Sequence, residues 1–217
     1  MAEFKSISLA TQVFEKLEED IITGVYPRGE ILTELKLVEQ LGVSRTPIRE
    51  ALRRLEQERL IAESGKGSVV LGITMEDLVD IMDIRQRIEG LAAYYATRNL
   101  TDAGRQELTQ ISELQDFYFE KQDIENLRKM DDKFHDAIYH LSNRPVLRDT
   151  LIPLHRKSQR YRKISIEDKI RLGHSIQEHK AICNAIISGD AELAAELITA
   201  HIERAKKNMI ERCYQHG

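Results

Sequence analysis

The sequence predicts a mainly α-helical protein in two parts, an N-terminal winged helix-turn-helix and a C-terminal antiparallel α-helical bundle. Three observations lead there. Apolar residues recur at helical spacing through most of the chain. The one stretch that breaks this period, residues 61–72, is rich in glycine and β-branched residues. Periodic segments before it are short, and those after it are long. With 217 residues, 41% hydrophobic and 31% charged, the chain can bury two small cores, which excludes general disorder. No apolar run is long enough for a membrane span, and residues 1–5 show no secretory pattern. Cys183 and Cys213 stand far apart and form no CxxC, as suits a reducing compartment. The expectation is a cytoplasmic protein with domains at residues 1–72 and 73–217.

The first helix is expected over about residues 8–23, with Leu9, Val13, Leu17 and Ile21 in one stripe, ended by Gly24 and Pro27. A second, at 33–41, starts at Thr33 as N-cap, shows Leu35, Val38 and Leu41, and stops at Gly42. The third follows after Val43. Pro47 fits its first turn, Ser44 or Thr46 its cap, and Ile48, Ala51, Leu52 and Leu55 its buried face. Two helices around a tight glycine turn form a helix-turn-helix, and two strands about Gly65-Lys66-Gly67 add a wing.

Six longer helices follow, at about 74–99, 101–121, 123–142, 145–163, 174–188 and 190–213. Expected inward residues include Leu78, Ile81, Met82, Ile88, Leu91, Ala92 and Tyr95 in the first of these, and Leu193, Leu197 and Ala205 in the last.

The net charge of −4 argues against a generally basic nucleic-acid binder, so any such surface must be local. It is. Residues 44–66 carry six Lys/Arg against four acids, whereas residues 1–43 carry four against eight. On the third helix Arg45, Arg49 and Arg53 succeed one another at one-turn spacing opposite the apolar face. A guanidinium fork there matches guanine O6 and N7 in the major groove. Ser44 and Thr46 suit phosphate contacts, and Lys66 at the hairpin tip suits the backbone or minor groove. The plain alternative is a solvated face with ordinary charge pairs.

The run Val43-Ser44-Arg45-Thr46-Pro47-Ile48-Arg49-Glu50-Ala51-Leu52, with Leu32-Thr33-Glu34 before it and Gly65-Lys66-Gly67-Ser68 after, closely resembles the winged helix-turn-helix of the GntR family of bacterial transcription regulators. The resemblance implies DNA contacts from Arg45, Thr46, Arg49 and the wing around Gly67. Two positions depart from it: Leu35 stands where some members have a base-reading arginine, and Arg59 where a glycine is frequent.

In the C-terminal part the informative residues are polar ones on apolar stripes. Asp131 and His135 share the face of Leu127, Phe134 and Ile138. His179 lies with Ile176, Ile182, Cys183 and Ile186, and His201 follows Leu197 by one turn. An unpaired carboxylate in an apolar core costs several kcal/mol, so these groups need partners. One carboxylate and three imidazoles suit a divalent transition metal, zinc or nickel first, with manganese or iron as alternatives. A buried Asp–His pair with unrelated core histidines is the alternative. His140, His155, His174 and His216 do not join the set, although His155 and His174 can border a cavity.

Asp131, His135, His179 and His201 also match the pattern of the all-helical FCD ligand-binding domain of FadR-type GntR regulators, which this region resembles. That resemblance implies a small organic acid held with the metal's help. Arg85 is the candidate clamp for its far end, with a surface pair to Glu89 as the alternative, and Tyr161 and Arg162 as weaker candidates. The function expected is that of a homodimeric, ligand-responsive regulator on a near-palindromic operator, a repressor more often than an activator in that family, and not an enzyme. A metal-dependent enzyme, a sensor of the metal itself, and a purely structural ion are the competing readings.

Overall fold

A computed structural model describes residues 8–158, 161 and 169–216. The chain divides into two compact units, residues 1–74 and 75–217.

The first unit runs α1 (Leu9–Ile22), β1 (Ile31–Leu32), α2 (Glu34–Leu41), α3 (Arg45–Gln57), β2 (Ile61–Ser64) and β3 (Gly67–Val70). Thr33 caps α2, its hydroxyl accepting from the Lys36 amide, and Gly42 ends the helix in the left-handed region. The hairpin pairs Ile61 with Val70 and Ser64 with Gly67. A strand absent from the sequence reading, β1, adds to the β3 edge in the order β1-β3-β2. Gly67 is needed there: at φ +134° a Cβ would stand 2.6 Å from the Leu32 carbonyl oxygen. Phe14, Leu17, Leu37, Ile48, Ala51 and Leu55 meet in one core. Two expected stripe residues miss it. Leu9 is exposed at the head of α1, and in α2 Leu35 is exposed while Leu37 is buried. Leu35 and Leu37 lie roughly 200° apart around a helix, so only one can face α3.

The end of α3 bears on the Arg59 departure. The Leu60 amide donates to the Leu55 carbonyl and the Arg59 amide to that of Glu56, which makes a Schellman motif with Arg59 at its left-handed position, φ +58°. That is where glycine is favoured, and Arg59 occupies it under strain.

The second unit contains, among the described residues, α4 (Met75–Arg98), α5 (Asp102–Glu120), α6 (Ile124–Leu141), α7 (Pro145–Lys157), α8 (Lys169–Ser188) and α9 (Ala191–His216). The long helices α4 and α9 pack along each other, α5 lies against α6 and α8, and α4 also touches α6 and α7. Ala92, Ala93, Ala96, Phe134, Ile182 and Ile198 belong to the common core. Gly90 lets α4 approach α9 closely, since a Cβ there would lie 2.9 Å from Thr199 Oγ1 and 3.3 Å from the Ala195 carbonyl. This explains a second correction: Leu91 and Leu193 are exposed, and Tyr95 is only half-buried. The contact runs through small residues, and the large ones turn outward. The expected end of the 145–163 helix falls partly outside the described residues, and α8 starts by residue 169 rather than 174. No described helix is long and apolar enough to cross a membrane.

Candidate DNA-binding face and candidate metal centre

Helix α3 separates its charges cleanly. Pro47, Ile48, Ala51 and Leu55 are buried, while Ser44, Arg45, Thr46, Arg49, Arg53 and Lys66 are all exposed. Arg54, on the other side, is structural: its guanidinium lies 3.9 Å from the Phe14 ring centroid and bonds Thr11. Ser44 stands at the N-cap in extended conformation, yet its side chain makes no capping bond to the helix. Arg49 Nε donates to Glu34 at 2.7 Å, both groups being solvent-accessible. At the wing tip the Ser64 hydroxyl donates to the Gly67 carbonyl and accepts from the Lys66 amide, fixing the turn that carries Lys66. Gly67 contributes shape through its contact with β1.

In the second unit three helices bring imidazoles together. His135 on α6, His179 on α8 and His201 on α9 are buried, and one ring nitrogen of each lies within 4.8 Å of the others. His179 Nε2 and His201 Nε2 face each other at 3.3 Å. Ligand atoms around tetrahedral zinc stand roughly that far apart for bonds near 2.0–2.1 Å. The far nitrogens are held from behind. His201 Nδ1 meets Glu178 at 2.7 Å, His135 Nδ1 meets Glu89 at 3.1 Å, and His179 Nδ1 meets the Gln115 amide at 3.0 Å. Burial resists ionisation of Glu178, but the hydrogen bond from His201 and the Arg171 guanidinium outweigh it and hold the carboxyl at about 2. An ionised carboxylate can only accept, so His201 carries its proton on Nδ1. Burial also keeps His179 well below the ordinary imidazole value and lowers His201, despite the opposing pull of Glu178. For His201, a neutral ring protonated at Nδ1 presents the Nε2 lone pair inward, the state a metal ligand requires, whereas His179 Nδ1 accepts from the Gln115 amide nitrogen. Asp131 is half-buried with Oδ1 3.7 Å from His179 Nε2. The three imidazoles therefore fit a divalent cation, while Asp131, at their edge, groups with Asp132 and His155.

Residues 9–70 match the family described as bacterial regulatory proteins, gntR family, and residues 80–204 match the FCD domain. The chain belongs to the GntR family. Among its relatives, the HTH-type transcriptional regulator McbR of Escherichia coli is 34% identical over 67% of this chain and 66% of that one. The E. coli McbR/YncC structure superposes with a TM-score of 0.80 at 27% identity, covering 98% of this chain and all of that one. The uncharacterized regulator YdhC of Bacillus subtilis is 27% identical over 88% of this chain and 86% of its own length. The gluconate operon transcriptional repressor of Bacillus licheniformis is 33% identical over 60% and 54% respectively.

Beside the imidazoles, this GntR-family regulator has a cavity of about 50 Å³ bordered by Arg85, Asp131, His135, Arg171, Ser175 and His201, with an apolar wall from Leu127, Leu172, Ile202 and Met209. One water needs about 10–15 Å³ by this measure, so a small ligand fits and a large one does not. Arg85 is buried, not a surface residue. Its Nε donates to Glu89 at 2.6 Å and one terminal nitrogen to Ser158 at 3.0 Å. Burial opposes charge on Glu89 too, and the Arg85 guanidinium overcomes it, keeping the carboxyl ionised. Glu89 thus links Arg85 to His135. Only its i+4 spacing from Arg85 was readable in the sequence; Glu178 and Gln115 gave no signal, being ordinary polar residues until the helices cross.

His155 is buried, its ring 4.7 Å from that of His135 and its Nε2 3.2 Å from Asp132. His174 is exposed and does not border the cavity, because it lies outside the Ile176–His179 face of α8. Tyr161 packs with Leu78, Met82, Ile202 and Met209. Arg162 lies outside the described residues.

Proposed function

We propose that this regulator senses a small organic acid through a divalent transition metal, zinc or nickel before manganese or iron, held by Asp131, His135, His179 and His201. The observation that carries the reading is the convergence of three imidazoles whose outer nitrogens are already fixed by Glu89, Gln115 and Glu178. The ion would supply an electrophilic seat for a carboxylate. The chain's own residues close the cavity, and Arg85 orients the acid. The centre is read as a sensor's binding site, not a catalytic one, in keeping with the family. On the DNA side, Arg45, Arg49 and Arg53 would read base edges, Ser44 and Thr46 would set register on phosphates, and Lys66 and Gly67 would place the wing. A homodimer would present two such faces to a near-palindromic operator. Repression is the sign proposed, since relatives include a named repressor. An effector coupling of about 1–3 kcal/mol gives a usable response.

The test is elemental analysis of the purified full chain together with mobility shifts on genomic fragments. Stoichiometric metal in the parent, its loss in Asp131→Ala, and selective retardation of a promoter fragment relieved by an acid support the proposal. Metal retained by Asp131→Ala removes the site. A DNA response to metal alone, unaffected by any acid, makes the ion the signal and refutes the acid.

A further inference from the structure

We propose that the effector is a compact dicarboxylate, and that Arg171 is the residue that takes its second carboxylate; this rests on the metal-and-acid reading above. Arg171 projects from the start of α8 into the wall of the cavity, its side chain only 12% exposed. Arg85 stands in the same wall, so two guanidiniums border one small space. Arg85 is held by Glu89, Ser158 and the Met82 sulfur in a fully buried pair. Arg171 donates to Glu178 from a terminal nitrogen at 3.0 Å, and the same Glu178 also accepts from Arg204 Nε at 2.6 Å and from His201 Nδ1 at 2.7 Å. If a ligand drew Arg171 away, Glu178 would keep a cation and an imidazole, and remain satisfied.

The charge balance points the same way. Among the described residues, the charged groups of the wall and these ion-pair partners are Arg85, Arg171 and Arg204 against Glu89, Asp131 and Glu178, equal in number. A divalent cation held among the imidazoles would add two positive charges to this wall. A monocarboxylate neutralises half of that, and a dicarboxylate all of it. Size sets the upper limit. A cavity of about 50 Å³ admits a short chain between the two carboxylates and not a long or branched one. The apolar side of the cavity, Leu127, Leu172, Ile202 and Met209, suits the methylenes. One carboxylate sits toward the imidazoles, the methylenes lie on that apolar side, and the other carboxylate meets the Arg171 fork bidentately.

The experiment is calorimetric titration of the metal-loaded full chain with malonate and succinate, against acetate and butyrate as single-carboxylate counterparts. Arg171→Gln and Arg171→Lys are titrated in parallel, with metal content and circular dichroism checked for each. The parent should bind a dicarboxylate on the order of 10- to 100-fold more tightly than its counterpart, the worth of a charged bidentate contact. Arg171→Gln should erase that preference while leaving monocarboxylate affinity and metal content unchanged. Arg171→Lys, which keeps the charge but not the fork, should keep part of it. Equal affinity for both acid classes in the parent, or equal loss of both in Arg171→Gln, overturns the assignment and leaves the acid site standing. If no carboxylate binds the metal-loaded parent, the acid reading falls and this inference with it.

Discussion

Replacing Glu89 by Leu tests how the bundle tolerates its most deeply buried charges. Arg85 and Glu89 are 1% and 0% exposed, paired at 2.6 Å, and Glu89 also accepts from His135. The leucine has similar bulk, so the main effect is to leave a guanidinium without its counter-ion among Met82, Ser158 and Tyr139. Breaking one side of such a pair costs about 3–5 kcal/mol. For a unit of this size, 1 kcal/mol corresponds to ~2–4 °C, so the thermal midpoint should fall by roughly 10 °C. The double replacement Arg85→Met with Glu89→Leu should recover most of the loss, because two apolar side chains of matching volume leave no stranded charge. Urea unfolding of chelator-treated protein measures this without metal linkage, through the midpoint at constant slope. A competition titration with a metal indicator should then show Glu89→Leu about 10- to 100-fold weaker in metal affinity, since His135 has lost its acceptor. A single variant within 1 kcal/mol of the parent, or a double variant no better than the single, would refute the reasoning.

Arg59→Gly should stabilise the winged unit by roughly 0.5–1 kcal/mol, the left-handed strain relieved less the added freedom of the unfolded chain; a lower urea midpoint would contradict the strain at φ +58°. Arg49→Ala should change stability little, because its pair with Glu34 is solvent-accessible. The same change should flatten operator discrimination by ~1–3 kcal/mol in competition footprinting, and an unchanged sequence preference counts against base reading by that arginine. Glu178 has its carboxyl depressed from the ordinary 4.5 to about 2 in the folded state. Its contribution to stability is therefore complete above pH 4.5 and lost as pH falls toward 2. Urea midpoints across that range should drop steeply in the parent and less so in Glu178→Gln.

The readable part of the molecule is the part governed by local periodicity. On α3, 3.6-residue spacing alone separates Arg45, Arg49 and Arg53 from Ile48, Ala51 and Leu55. The same spacing marks His135, His179 and His201 as polar intruders on buried faces. What the period hides is set by crossings between helices. Glu89, Gln115 and Glu178 become supports for the imidazoles only when α4, α5 and α8 place them behind the rings. Leu91 and Leu193 satisfy the apolar spacing, yet they are exposed because Ala92, Ala93, Ala96 and Gly90 take the contact. Strand β1 has two residues, too short for any periodic signal, and exists because β3 offers an edge.

The close approach at Gly90 has a mechanical consequence. One residue before it, Glu89 steadies the ring of His135; facing it, two residues before His201, is Thr199. With no side chain at position 90 to act as a spacer, α4 and α9 touch there beside the histidines. A methyl group added at this crossing would press α4 and α9 apart one residue from Glu89 and two from His201, and so disturb the set of the imidazoles without touching them.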